Sequence, residues 1–307
     1  MSKEPLVSAC IITYNQEKFI RECIEGALSQ NIENYEIVIG DDCSSDSTSM
    51  ICQEYQEKFP NLIRYIKRNK NLGMIGNWLD TINQCKGEFI AICEGDDYWN
   101  DPNKLFNQMN FLNNNSDYGL LFSDYDLLSD TKGSFVHSYH KIFNTFIPKT
   151  NTFEHLLYVN PFVTCTSFFR SCILDDFNHD FRAMKIHAID CCIWLHIAAS
   201  WKVGYLNSST STYRVLENSA SHTTDFQKEI EMKELGIQTT RYFAKYYGVE
   251  FNEEKKRYLV NKSLIKSVIQ KNRFYLLIKF KSYPFTIFKE SIKELILKPL
   301  FLLFKKR

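Results

Sequence analysis

Short apolar runs alternate with amphipathic segments along the first 130 residues of the chain. The apolar runs have the length and composition of buried strands and lie at 6–15, 35–42, 62–68 and 88–97. The amphipathic segments carry apolar side chains at helical spacing and lie at 17–30, 46–59 and 74–85. Strands that alternate with helices of about twelve residues predict βαβ units and a mostly parallel sheet.

The pattern is less regular in the rest of the chain. Further strands are predicted at 118–128, 161–170 and 203–215. A buried helix and two charged amphipathic helices are predicted at 188–200, 226–247 and 253–270. Residues 129–160 are polar and aromatic without a clear period. The architecture of this second region is therefore left open.

Polar side chains follow three of the predicted strands at their carboxyl ends. They are Thr13, Tyr14 and Asn15 after the first strand, Asp41 and Asp42 after the second, and Glu94, Asp96 and Asp97 after the fourth. Ligands of open parallel sheets bind at this edge. Clustered carboxylates there bind Mg²⁺ or Mn²⁺, or accept hydrogen bonds from ribose hydroxyls. Both uses fit a nucleoside diphosphate, whose charge a divalent cation neutralises.

Glycine-rich phosphate loops are not present in the sequence. Neither G-x-x-x-x-G-K-[ST] nor G-x-G-x-x-G occurs, and the chain has only 11 glycines. A nucleotide would therefore be held by a metal ion and side chains. A sugar nucleotidyltransferase, which needs a glycine-rich loop after the first strand, is disfavoured because "TYNQEKFI" has no glycine.

The stretches "VSACIITYNQEKFIRECIEGALSQ", "YEIVIGDDCSSDST", "NLGMIGNW" and "GEFIAICEGDDYWNDPNKL" resemble the nucleotide-sugar-binding half of family 2 glycosyltransferases. The likeness is dense over 6–115 and weaker to about 222. It implies a GT-A fold, in which a Rossmann-like, mostly parallel central sheet is flanked by helices. The predicted catalytic domain covers 1–225, with a nucleotide-sugar half at 6–115 and an acceptor half at 116–225. A helical extension at 226–270 and a basic tail at 271–307 are predicted to follow it.

The resemblance assigns the nucleotide side of the site. Tyr14 is similar to the aromatic residue that stacks on the base, with Thr13 and Asn15 beside it. Asp42 matches the acid that contacts the base or ribose.

The acidic stretch 94–97 resembles the family's D-x-D-type motif. Asp96 is implied toward the ribose, and Asp97 toward the metal ion, Mg²⁺ or Mn²⁺, and the diphosphate. Glu94 occupies a position where many members have another Asp. The neighbouring Tyr98 and Trp99 are expected to line the substrate pocket, whereas Trp78 fits core packing equally well.

Asp190 falls where the family has its catalytic base, which takes a proton from the acceptor hydroxyl. Ile189 precedes it where members usually have Glu or Gly, and a helix N-cap remains the alternative role. Arg214 is assigned to the diphosphate, with a structural ion pair as the alternative. His222 is either a metal or phosphate ligand or a surface histidine.

Charge is distributed unevenly behind a net charge of +1. Residues 271–307 hold ten Lys/Arg and two Asp/Glu, which leaves the preceding residues at −7. A basic amphipathic tail suits an anionic membrane surface, although packing on the catalytic domain or a dimer contact remain alternatives. No nucleic-acid partner is expected.

Ten cysteines without a C-x-x-C motif, mostly in apolar runs, indicate a reducing compartment. No signal peptide is expected, because Met1 to Pro5 is polar, and no transmembrane helix is expected, because no apolar run reaches about 18 residues. The expected location is cytoplasmic, peripheral at the inner face of the plasma membrane.

The resemblance implies a metal-dependent inverting glycosyltransferase. It would move a sugar from a nucleotide diphosphate sugar, taken as a UDP-sugar by frequency in the family, to a hydroxyl of a glycan or lipid-linked acceptor. The implied setting is surface polysaccharide or lipopolysaccharide synthesis. The alternative from another class is an inactive member that serves as a scaffold or carbohydrate-binding partner.

Overall fold

The computed structural model describes the chain at 5–130, 133–175, 177, 188–216 and 225–270. The chain divides into two compact units, Met1–His222 and Thr223–Arg307. Within the described ranges, no helix is both long and apolar enough to cross a membrane. His222 and the basic tail lie outside the described residues, so their assignments stay predictions.

The described part of the first unit forms one nine-stranded sheet with flanking helices. The strands are β1 Val7–Thr13, β2 Tyr35–Asp41, β3 Ile63–Lys67, β4 Phe89–Glu94, β5 Tyr98–Trp99, β6 Tyr118–Ser129, β7 Ser134–Val136, β8 Phe168–Arg170 and β9 Lys202–Val215. The helices are α1 Ile20–Leu28, α2 Thr48–Lys58, α3 Gly73–Ile82, α4 Lys104–Asn114, α5 Tyr139–Phe143, α6 Thr152–Tyr158 and α7 Ile189–Ser200. The strand order is β3-β2-β1-β4-β8-β6-β9-β5, and β7 pairs with β6 outside this path.

The first four strands in this order, β3-β2-β1-β4, are all parallel. Their register brings the predicted site residues to one edge, because Thr13 lies opposite Asp41 and Ile12 lies opposite Glu94. The predicted α/β fold with a mostly parallel central sheet is confirmed. Beyond β4, the sheet is mixed, since β8 runs antiparallel to both β4 and β6, whereas β6 and β9 are parallel.

Strand β1 is buried along its whole length, which explains its unbroken apolar composition. Helix α1 covers one face of the sheet with Ile20, Cys23, Ile24 and Ala27, at the spacing of one helical stripe. Gly26 lies on the same helix, and a Cβ there would meet the carbonyl oxygen of Trp99 at 2.8 Å. The glycine therefore lets α1 approach β5, the strand that directly follows the acidic turn.

Residues 161–170 differ from the predicted continuous strand. Only Phe168–Arg170 is a strand, and Thr164–Thr166 forms a 3₁₀ turn before it. The turn carries its own hydrogen bonds, from Thr166 N to Val163 O and from Ser167 N to Thr164 O. Burial of Thr164, Cys165 and Thr166 in a turn gives the same apolar pattern as a strand, so periodicity alone does not separate the two.

The second unit contains the two predicted helices, α8 Phe226–Tyr246 and α9 Glu253–Gln270. Asp225 caps α8, since its side chain accepts hydrogen bonds from Gln227 N and Lys228 N. The helices pack through Phe226, Leu264, Ile265 and Val268. The predicted C-terminal helical extension is therefore confirmed over these residues.

Candidate active site

The turn after β1 is tied to the turn after β2 by Asn15. Its backbone has a left-handed φ of 52°, and its amide nitrogen donates to Ser44 Oγ at 2.9 Å. In the other direction, Ser45 N donates to Asn15 Oδ1 at 2.8 Å. Asn15 is thus a bridge between loops, while the neighbouring Tyr14 is 49% exposed and has a ring available for stacking. Thr13 is buried and donates to Gln16 Oε1 at 2.8 Å.

Two adjacent aspartates at the end of β2 have different surroundings. Asp41 is fully buried and accepts hydrogen bonds from Ser44, Ser49 and Tyr65, so it is a structural acid. Asp42 accepts a hydrogen bond from Leu72 N at 2.6 Å, which fixes the loop before α3. Asp42 therefore lies between the β2 end and the α3 loop, at the sheet edge where its contact with a base or ribose is predicted.

Glu94 lies at the centre of the acidic site. Its Oε2 atom is buried and accepts no hydrogen bond within the described part of the chain. Burial raises the pKa of Glu94 to about 8, with further upward contributions from the neighbouring charges of Asp96 and Asp190. The nearby Thr164 side chain opposes this effect and lowers the pKa. Two acids of one turn, Glu94 and Asp96, thus share an electrostatic environment with Asp190, which is distant in sequence.

Asp96 lies on the accessible side of the acidic turn and is partly exposed. Burial raises the pKa of its carboxyl group, whereas the Arg214 charge and a hydrogen bond from Gln16 lower it. Asp97 points instead into the protein and is 3% exposed. Its Oδ1 accepts the backbone N–H of Arg214 at 2.7 Å, and the Cys165 side chain lies beside the carboxylate. Burial, then Asp96 and Glu94, raise the pKa of Asp97.

The Arg214 side chain is buried next to the acidic turn. Its guanidinium lies over the ring of Phe19 at 4.7 Å and the ring of Tyr98 at 5.8 Å. It also pairs with Glu22 at 2.5 Å and with Asp130 at 3.4 Å. The contacts match the structural ion pair that the sequence left open, because acids and rings already surround the guanidinium.

Asp190 is the second residue of α7, and Ala188 is the N-cap. The N-cap alternative is therefore wrong for Asp190, although an acid in the first turn is favourable to the helix dipole. Thr164 Oγ1 lies 3.5 Å from Asp190 Oδ2. The 3₁₀ turn 164–166 thus joins the end of β4 to the start of α7, which brings Asp190 beside Glu94.

Two aromatic predictions have different outcomes. Trp99 is 3% exposed in the core, and its indole N–H donates to Cys165 O at 3.0 Å, so its expected pocket-lining role is wrong. Tyr98 is partly exposed beside the acidic turn. Trp78, at 3% exposure, is a core residue.

Sequence reasoning missed Thr164 and Cys165, because they come from a turn that was taken for a strand.

The donor set of the site fits a hard divalent cation. Glu94 and Asp96 supply carboxylate oxygens, and Oε2 of Glu94 has no hydrogen-bond partner among the residues that the structure describes. Among the described residues, no three His, Cys, Asp or Glu side chains already form a metal cluster. A cation would then be shared between these acids and a phosphate-bearing ligand, which is the usual arrangement for Mg²⁺.

Two solved structures of similar fold contain nucleotide sugars. TarS of S. aureus with UDP-GlcNAc aligns with a TM-score of 0.57 and 18% identity, over 94% of this chain and 80% of its own. Mannosyltransferase PcManGT from Pyrobaculum calidifontis, with GDP-Man and Mn²⁺, aligns with a TM-score of 0.61 and 14% identity, over 97% and 89%. At these identities, the likeness shows the fold, which is the GT-A fold predicted from sequence.

The family model of "Glycosyl transferase family 2" matches residues 8–175. The chain therefore belongs to glycosyl transferase family 2.

Curated relatives match this chain over part of its length. An uncharacterised protein of Mycobacterium tuberculosis is 41% identical over 117 residues, 38% of this chain and 34% of its own length. An uncharacterised glycosyltransferase of Methanocaldococcus jannaschii is 35% identical over 122 residues, 39% and 41%. Chondroitin synthase of Escherichia coli is 36% identical over 98 residues, 32% and 14%. The chain thus spans about a third of the length of its mycobacterial relatives.

Proposed function

We propose that this protein is a metal-dependent inverting glycosyltransferase that uses a nucleotide diphosphate sugar. The observation that carries the proposal is the convergence of Glu94, Asp96 and Asp190 at the carboxyl edge of the parallel strands, with Oε2 of Glu94 buried and unpaired. Carboxylate oxygens at this edge are ligands for a divalent cation, and a cation there suits a diphosphate. The UDP and GDP sugars of the solved neighbours support this donor class.

Nucleotide recognition is assigned to the turns after β1 and β2. Tyr14 offers a half-exposed ring for stacking on the base, and Asn15 fixes its position by bonding to the second turn. Asp42 contacts the base or ribose from the adjacent strand end. UDP remains the donor nucleotide that we favour, as in the TarS complex.

Asp190 is assigned as the general base. It accepts the proton of an acceptor hydroxyl while the hydroxyl oxygen bonds to the anomeric carbon. The bond from that carbon to the diphosphate oxygen breaks in the same step, and the nucleoside diphosphate leaves with the electron pair. A single displacement of this kind inverts the anomeric carbon. Thr164, 3.5 Å from Asp190 Oδ2, orients the carboxylate.

The divalent cation, Mg²⁺ or Mn²⁺, supplies charge stabilisation for the departing diphosphate when it is bound. Glu94 and Asp96 are the acids whose surroundings best support contact with it. The sequence-based assignment to Asp97 has less support, because its Oδ1 accepts a backbone N–H and its side chain contacts Cys165. In this proposal, Asp97 positions the acidic turn through its hydrogen bond with the backbone N–H of Arg214.

The acceptor is proposed to be a glycan or a lipid-linked sugar, in surface polysaccharide or lipopolysaccharide synthesis. Chondroitin synthase, a curated relative over 98 residues, supports a polysaccharide setting. The basic tail 271–307 is proposed to bind an anionic membrane surface, as its charge indicates.

The test is turnover of a panel of nucleotide sugars by the full chain, with Mn²⁺ and with chelator. We expect metal-dependent turnover of one donor, and a kcat loss of about 10²- to 10⁴-fold in Asp190→Asn with unchanged donor affinity. Asp117→Asn, a surface acid paired with Lys202, is the matched control and should retain full activity. Donor binding by a folded protein without any turnover would favour the scaffold instead.

A further inference from the structure

A short segment of the first unit presents apolar side chains to solvent. Of twelve exposed large apolar residues in the described ranges, five lie between positions 135 and 159. Ile142, Phe143 and Phe146 are 64%, 58% and 68% exposed and fall within five positions of one another. We call these three residues the apolar turn. Apolar groups clustered in this way mark interaction surfaces, whereas single exposed residues need no explanation.

The orientation of the apolar turn is fixed from beneath by a buried acid. Asp124 is 1% exposed, and its Oδ1 and Oδ2 accept the backbone N–H groups of His140 and Lys141 at 2.8 and 3.2 Å. Backbone N–H groups of this segment are thus hydrogen bonded on its buried side, by the Asp124 carboxylate. The apolar side chains that follow are left on the outside, opposite to the usual arrangement.

The His140 ring adds a second anchor. Its Nε2 lies 2.9 Å from the carbonyl of Pro161, and its Nδ1 lies 2.9 Å from the Tyr205 hydroxyl. A carbonyl only accepts, so Nε2 carries the proton, and in the neutral ring Nδ1 accepts from Tyr205. Burial lowers the pKa of His140, which is consistent with the neutral ring.

The backbone forms a hydrogen-bonded turn immediately after α5, the helix that carries Ile142 and Phe143. Asn144 adopts a left-handed φ of 47°, and Thr145 N donates to His140 O at 2.9 Å. This C-terminal turn stops α5 and leads directly to Phe146. The three apolar residues are therefore presented by an ordered, hydrogen-bonded turn.

The charges around the apolar turn identify its partner. Residues 133–149 contain the exposed Lys141 and Lys149 and no Asp or Glu, in a body that is otherwise acidic. Aromatic and aliphatic side chains flanked by lysines suit a lipid surface, where the rings enter the headgroup region and the ammonium groups meet anionic phosphates.

We propose that the apolar turn inserts into the headgroup region of an anionic phospholipid bilayer. The contact is separate from the basic tail 271–307 and does not depend on the glycosyltransferase activity. It gives the first unit a membrane-facing side. The His140 ring, which anchors this turn, contacts the carbonyl of Pro161, and Pro161 lies three residues before Thr164, which contacts Asp190.

The test must report on this turn and not on the tail. Phe143→Trp in the full chain is compared with Met50→Trp, which lies on α2 and is 67% exposed. Both are mixed with phosphatidylcholine–phosphatidylglycerol vesicles whose acyl chains are brominated or unbrominated. After subtraction of the wild-type signal, we expect blue-shifted emission and bromolipid quenching for the Phe143→Trp variant only. Vesicle binding without quenching in that variant would overturn the proposal and leave the tail as the membrane contact.

A second measurement uses Ile142→Ser, Phe143→Ser and Phe146→Ser combined. We expect about tenfold or greater loss of partition onto the same vesicles, since interfacial binding scales with the apolar area inserted. Met50→Ser is the control and should bind as wild type does. Unchanged partition of the triple variant would contradict the proposal. A concentration-dependent blue shift of the Phe143→Trp variant without vesicles would also contradict it and would indicate contact between copies.

Discussion

The backbone N–H of Arg214 donates to Oδ1 of Asp97 at 2.7 Å and joins the end of β9 to the acidic turn after β4. The guanidinium Nε of Arg214 also donates a hydrogen bond to the backbone carbonyl of Asp96 at 2.9 Å. Two hydrogen bonds from one residue thus hold both aspartates, across 117 and 118 positions of sequence. Asp96 is left partly exposed and Asp97 is turned inward, so the two adjacent acids have different surroundings.

We therefore expect Asp96→Asn and Asp97→Asn to behave differently. Asp96→Asn should weaken metal-dependent donor binding at least about tenfold, because a ligand oxygen loses its charge. Asp97→Asn keeps an Oδ1 acceptor for Arg214 N and should retain donor affinity within about threefold. Calorimetric titration of the nucleotide sugar in Mn²⁺ measures both. Equal and large losses in the two variants would return the metal to Asp97, as the sequence first indicated.

Arg214→Lys should destabilise the first unit. A lysine does not reproduce the planar stacking on Phe19 and Tyr98, nor the paired bonds to the acidic turn and Glu22. Arg214 is 8% exposed, but Glu22 and Asp130 are 53% and 38% exposed and solvated, so the loss is limited to roughly 1–3 kcal/mol.

The measurement is urea unfolding followed by tyrosine and tryptophan fluorescence. Arg21→Lys provides the matched control, since Arg21 pairs with Glu54 at the surface and both side chains are about half exposed. Its unfolding free energy should change by less than about 0.5 kcal/mol. A similar change in both variants would mean that the buried position of Arg214 adds nothing to stability.

The parallel half of the fold was predictable from the sequence because each of its strands is a continuous apolar run that ends in polar residues. The convergence of Thr13, Asp42 and Glu94 followed from the parallel register alone. The second half was not predictable in this way. Its short antiparallel strand β8 and the turn before it are both buried, and burial hides the difference in period.

The different surroundings of the two adjacent aspartates were also beyond the sequence. Asp96 and Asp97 are adjacent and chemically identical, and only the position of Arg214 distinguishes them. Trp99 follows the acids directly, yet alternation along β5 turns its side chain into the core while Tyr98 stays partly exposed. Sequence proximity to a site thus does not determine which side chain faces it.

Gly26→Ala should destabilise the protein because α1 packs closely on β5. An added Cβ would lie 2.8 Å from Trp99 O and 3.0 Å from Trp99 N, and backbone atoms cannot move away as a flexible side chain can. We expect a loss of about 1–3 kcal/mol, as for overpacked cores, measured by urea unfolding. Donor affinity should fall as well, because β5 directly follows Asp97.

Gly236→Ala is the control for the intrinsic effect of alanine in a helix. Gly236 lies within α8, and an added Cβ meets no atom within 4 Å. Alanine should therefore stabilise α8 by up to about 1 kcal/mol through helix propensity. If Gly26→Ala also stabilised the protein, the close approach of α1 to β5 would not limit the side chain at position 26.

Lys104 is fully buried and predicts a pH dependence of stability. Its Nζ donates to Gln108 Oε1 at 2.6 Å and to Thr166 O at 3.1 Å, and it lies 5.3 Å from the centre of the Trp99 ring. Burial lowers the pKa of Lys104 to about 7 from its ordinary value of 10.5. A neutral amine still donates two hydrogen bonds, so both contacts survive deprotonation.

Between pH 7 and 10.5 the unfolded chain binds a proton at Lys104 that the folded chain has released. Stability attributable to this residue therefore rises with pH across that window, by at most about 1.4 kcal/mol per pH unit, and is constant below it. Lys104→Met should remove this rise. Urea unfolding from pH 7 to 9.5 measures it, with Lys202→Met as the control, since Lys202 is exposed and its partner Asp117 raises its pKa. Parallel stability profiles for wild type and Lys104→Met would show that Lys104 stays charged in the folded protein throughout this range.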